Sequence, residues 1–117
     1  MKFMVILKAT KDSEAGVLPT LEQMTAMGKY NEEMAKAGVL LDARGVHASS
    51  RGARVRFSGT KRTVIDGPFA ETKELVAGFW LIEVPSREEA IDWVKRLPSI
   101  WPEETELEIR QVMEAEE

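Results

Sequence analysis

A chain of 117 residues with 44% hydrophobic and 31% charged side chains has the makings of one globular domain with a single core. It holds no cysteine, which excludes a disulfide framework, thiolate chemistry and cysteine-based zinc sites. No apolar run approaches the ~18 residues of a membrane span, no signal-peptide pattern opens the chain, and the net charge of −4 argues against nucleic acid; a cytoplasmic protein away from membranes is expected.

Lys2–Lys8 reads as a strand, rich in β-branched and aromatic residues. Lys11–Leu18 reads as a connector. Thr20 with Gln23 three residues on predicts a capping box, and a helix follows with Met24, Met27 and Met34 at core-facing spacing. Gly38 stands where a helix-terminating glycine belongs. Val39–Val46 reads as a strand and Ala48–Ala53 as a polar loop. Arg54–Ser58 and Arg62–Asp66 read as a hairpin joined at Gly59-Thr60. Val76–Val84 is the strongest strand pattern. Ser86 with Glu89 predicts a second capping box, on a helix whose face is Ala90, Trp93, Val94 and Leu97 and which Pro98 closes. A loop at Pro98–Glu104 carries Trp101, Thr105–Val112 alternates as a last strand, and Met113–Glu117 is an acidic tail expected to fray.

This order, β-α-β-(hairpin)-β-α-β, predicts an α+β ferredoxin-like sandwich with both helices on one face of the sheet, a single domain over residues 1–117. Phe3–Leu7 and Phe79–Ile82 are apolar on both strand faces, and helices cover only one. A second copy, sheet against sheet, is the simplest cover, so a homodimer with an α+β barrel core is expected.

The least generic stretch is Asp66-Gly67-Pro68-Phe69-Ala70-Glu71-Thr72-Lys73-Glu74. Asp-Gly favours a turn with positive φ, and Pro68 fixes its own φ near about −65°, so the backbone here is held rather than loose. The segment resembles the signature of the DGPF-domain proteins, a branch of the YciI-like (YCII-related) family. Met1–Leu7, Glu33–Leu40, Gly78–Val84, Glu89–Trp93 and Glu106–Arg110 follow in that family's order, so the resemblance covers nearly the whole chain. It implies the same dimeric α+β barrel and a regulatory context shared with alternative sigma factors. It further implies a His–Asp pair in the relatives that are enzymes. Their histidine belongs to the first helix region, where this chain has Met24 and its neighbours and no histidine.

His47 is the sole histidine, just after the second strand. It reads either as a polar strand-end residue or as a general base oriented by Asp66. Asp66 reads either as a turn carboxylate accepting backbone N–H bonds or as the acid of a cleft. Phe69 is a plug or a lid, and Glu71 a polar rim. Arg54 and Arg56, two apart on one strand face, either keep the surface soluble or grip a carboxylate or phosphate. They belong to a block from Ala43 to Ile65 with six basic residues and no acid, whereas Glu103 to the end holds seven acids and Arg110 alone as a base. That contrast fits a homodimer of self-complementary charge, an anionic ligand or a solvated face. One histidine and scattered carboxylates do not make a metal site, and no phosphate loop or dinucleotide fingerprint is present. The expected function is a dimer that handles a small polar organic acid or phenol, as binder or as cofactor-free acid–base lyase or isomerase. The alternative is an interaction module that docks a sigma factor.

Overall fold

The computed structural model describes residues 1–101 and 104–115; the middle of the Trp101 loop and the last two residues of the acidic tail lie outside them. In chain order the elements are β1 (Lys2–Lys8), a single helical turn α1 (Lys11–Glu14), α2 (Leu21–Lys36), β2 (Leu40–Gly45), β3 (Ala53–Ser58), β4 (Lys61–Asp66), β5 (Val76–Glu83), α3 (Arg87–Lys95) and β6 (Leu107–Gln111). The main sheet runs β2-β5-β1-β6 with every neighbouring pair antiparallel, an α+β arrangement compatible with a ferredoxin-like fold. β3 and β4 form a sheet of their own.

Alternation decides which strand residues meet the helices. Phe3 and Val5 of β1 stand opposite Ile82 and Trp80 of β5, and all four are at most 6% exposed. Tyr30 and Met34 of α2 and Ala90 of α3 close over them in one core cluster. Burying side chains of this size stabilises by roughly 1.5–3 kcal/mol each.

The helix ends follow local chemistry. Thr20 Oγ1 accepts from Gln23 N at 3.1 Å and Gln23 Oε1 accepts from Thr20 N at 2.8 Å, the reciprocal box the sequence predicts. At the other end Gly38 has φ +74°, with Val39 N donating to Met34 O and Gly38 N to Ala35 O, a Schellman closure. Ser86 caps α3 by accepting from Glu89 N at 3.2 Å. The expected connector after β1 instead holds α1, because Thr10 and Ser13 cap each other in both directions.

Two features set the outline. On the sheet face turned from the helices, Met4 pairs with Leu81 and Ile6 with Phe79, an apolar centre flanked by Lys8–Glu108, Arg44–Asp42 and Arg110–Glu108 ion pairs. The β3–β4 hairpin, turned at Gly59 with φ +61°, stands away from the main sheet with every residue but Ile65 exposed. The chain is consequently a slab of 46 × 41 × 19 Å. Its radius of gyration is 16.0 Å, against about 13 Å for a compact chain of this length.

Candidate functional site

The turn beginning at Asp66 is clamped from two directions. The Glu14 carboxylate accepts from Ser49 N at 2.9 Å and from Ser49 Oγ, and Ser49 Oγ in turn accepts from Phe69 N at 3.1 Å. Gly67 N donates to Gly52 O at 3.0 Å, and the Gly67-Pro68 peptide is cis. α1, the 3-10 turn Ser49–Arg51 and the turn after β4 are thereby tied together through one serine.

Gly67 corrects a sequence expectation. Its φ is not positive; the positive values belong to Gly16, Gly38 and Gly59. Glycine is required for a different reason, since a Cβ there would stand 1.7 Å from the Ser49 carbonyl oxygen and 2.6 Å from its carbon. Close approach, not handedness, selects the residue.

Around this clamp the sequence candidates are mostly at the surface. Arg54 stacks on the Phe69 ring, guanidinium carbon 3.8 Å from the centroid, so these two are brought together. Arg56 lies on the same hairpin face as Arg54 and is exposed. His47, Asp66 and Glu71 are exposed, and none of their side chains makes a hydrogen bond or ion pair among the described residues.

A cavity of about 280 Å³ lies elsewhere, beneath α2 and opening at edge strand β2. Trp80 is its organising wall. Tyr30 meets the Trp80 ring edge-on at 6.3 Å between centroids, and Asn31 Oδ1 accepts from Trp80 Nε1 at 2.8 Å. Tyr30 is itself held by donating to Trp93 O at 2.6 Å, and burial pushes its hydroxyl pKa up to about 12. Gln23 Nε2 donates to Ile100 O at 2.8 Å and so pins the loop that carries Trp101 over the cavity.

The lining is aromatic and aliphatic, with few polar groups to spare. Both ends of the Gln23 amide are engaged. The Asn31 amide N–H groups have no acceptor among the described residues, and Arg44 uses its Nε on Asp42 at 3.1 Å while its terminal N–H groups stay open. Arg44 is the one titratable residue among the described residues that line this cavity. A neighbouring hollow shares Leu7, Pro19, Gln23 and Trp101 with it and adds Lys8 and Asp12.

His47, Asp66, Arg54, Arg56, Phe69 and Glu71 do not line the cavity. Asn31 carries no site expectation in the sequence, and the spacing of Met24 predicts a core residue. Met24 is 53% exposed and lines the cavity, because the first turns of α2 overhang the sheet edge. The signal for Asn31 was present: Met24, Met27, Asn31 and Met34 fall at 3-4-3 spacing, so a lone amide sits on the apolar stripe. Among the described residues no cluster of His, Asp and Glu could hold a metal ion, and no helix is long and apolar enough to cross a membrane.

Comparison with known proteins finds the YCII-related domain over residues 1–116. An uncharacterised protein of Rhizobium meliloti (strain 1021) is 33% identical over 87 residues, which is 74% of this chain and 70% of the relative.

Proposed function

We propose, for a chain that belongs to the YCII-related domain family, that it is a small-molecule-binding domain whose ligand is a single-ring or branched apolar acid. The carrying observation is the cavity behind Trp80. Its volume of about 280 Å³ is close to the lower end of the ~300–1,000 Å³ typical of ligand clefts. Trp80, Met27 and Ile100 suit an apolar body, and Arg44 at the edge strand with the free Asn31 amide suits a carboxylate or phenolate head. Binding is favoured over turnover because acid–base chemistry needs a proton acceptor at the ligand, and Arg44 is not one.

Two of the three tryptophans line the cavity, so their fluorescence reports occupancy. Titration with benzoate is expected to saturate. Arg44→Gln should weaken benzoate about 10-fold, near 1.4 kcal/mol, because Asp42 already shares the charge. Phenol affinity should change little. His47→Ala and Asp66→Asn should leave benzoate affinity unchanged. A benzoate affinity that ignores Arg44 and falls with Asp66→Asn would move the site to the Asp66 turn and refute this reading.

The domain is also read as a homodimer stacked through the Met4, Ile6, Phe79 and Leu81 face. An apolar sheet centre rimmed by ion pairs supports this, and so does the total surface. The chain exposes 8434 Å², whereas a compact monomer of its mass exposes roughly 6,400 Å². The excess of about 2,000 Å² is more than the ~800 Å² per partner of a standard interface.

A further inference from the structure

We propose that the β3–β4 hairpin is an arm that closes over edge strand β6 of a second copy of this chain, an inference that rests on the dimer reading above. The hairpin needs a cover. A two-stranded hairpin is marginal alone in water, and this one presents Val55, Phe57 and Val64 at 54%, 68% and 66% exposure. Val55 and Val64 are directly opposed, and Phe57 sits on the same face beside them, so they make one apolar strip.

Charge selects the cover. Arg51, Arg54, Arg56, Lys61 and Arg62 make no ion pair among the described residues. The hairpin leaves the main sheet after β2, at one edge, while Glu104, Glu106 and Glu108 cluster at β6, the opposite edge. Of these, Glu104 and Glu106 likewise make no ion pair among the described residues.

Two sheets stacked face to face by a two-fold axis have two simple arrangements. An axis across the strands lays β2 over its own copy with the strand direction reversed, so the two hairpins leave from opposite ends and neither reaches an acidic edge. An axis along the strands lays β2 of one copy over β6 of the other, and basic hairpin meets acidic edge twice. Opposite charges attract, and only the second arrangement brings the basic hairpin to the acidic edge, so it is the one the charge pattern selects.

The chain lacks cysteine, so introduced thiols report without background. Full-length protein carrying Arg56→Cys with Glu106→Cys is treated with a short bis-maleimide at a concentration where sedimentation shows the dimer, and the linked peptides are mapped. The expected product is a covalent dimer joined between positions 56 and 106 of different copies. Arg56→Cys paired with Glu88→Cys on α3 should give none. Efficient linking of Arg56→Cys alone would mean that hairpins meet hairpins, and a link within one chain would mean that the arm folds back; either overturns the proposal. A dimer that gives no 56–106 link overturns the arm and leaves the stacked sheets standing, whereas sedimentation as a monomer overturns both. A labelled single-stranded oligonucleotide bound by the native chain and released by Arg56→Glu would place nucleic acid on the hairpin instead, and would also overturn it.

Discussion

Gly67→Ala is expected to be among the most damaging single-carbon additions in this molecule, and the structure gives its size. The added Cβ would lie 1.7 Å from the Ser49 carbonyl oxygen, well inside the 3.0 Å that real Cβ contacts respect, and the obstacle is backbone. The two segments must therefore part by more than 1 Å. That separation stretches Gly67 N to Gly52 O and Phe69 N to Ser49 Oγ, now 3.0 and 3.1 Å. Each such bond contributes about 1 kcal/mol net, and displacing packed backbone adds roughly 1–3 kcal/mol. The sum is about 3–5 kcal/mol, and at about 4 °C per kcal/mol for this length the melting temperature should fall by some 12–20 °C. Gly28→Ala is the matched control. Gly28 is inside α2 with nothing within 4 Å of its Cβ position, so alanine should stabilise by about 0.5–1 kcal/mol and raise the melting temperature by about 2–4 °C. Thermal unfolding followed by circular dichroism measures both. A Gly67→Ala protein that melts within about 2 °C of the native one would refute the close-approach account of the motif.

Two further outcomes test other parts of the structure. Tyr30 is the one tyrosine, and burial raises its pKa from 10.0 to about 12, with Arg96 opposing and Glu33 adding to the shift. The folded state holds its proton longer than the unfolded state, so this contribution is fully present below pH ~10 and is lost as pH rises through about 12; at its largest it is roughly 2–3 kcal/mol. Absorbance titration of the tyrosinate should show its midpoint near 12 in folded protein, and a midpoint near 10 would show that the hydroxyl is not held against Trp93. Leu81→Lys places a charge at the centre of the open sheet face and should weaken the proposed dimer by about 100-fold or more while leaving the helix-side core intact. Sedimentation would show monomers with native circular dichroism, and an undiminished dimer would remove that face from the interface.

Much of the local structure was legible because its causes are local. The Thr20–Gln23 box and the Gly38 closure depend on residues three to five apart, and the strand faces depend on period-two alternation, so each could be read without knowing the fold. Ser86 capped α3 by accepting from Glu89 N, without the reciprocal half of the predicted box, and β1 began and ended at the predicted residues. Where the structure departs from the sequence pattern, the deciding contact comes from far along the chain. Gly67 answers to Ser49 and not to its own φ. Met24 has the spacing of a core residue but overhangs the sheet edge, and Asn31 earns its place only because Trp80 arrives from β5.

The candidate site divides in the same way. Residue type drew attention to Asp66, His47 and the arginines, since chemistry is written in side chains, but which of them share a space is a property of packing. The chain itself determined that the sheet has two apolar faces, that a rigid turn follows Asp66, and that bases and acids are segregated along its length. Only the tertiary structure decided that the turn is held by Glu14 and Ser49, that the cavity forms behind Trp80 with Arg44 at its mouth, and that the basic hairpin leaves the edge opposite β6. Those outcomes depend on distances between segments tens of residues apart, and a linear pattern carries no measure of them.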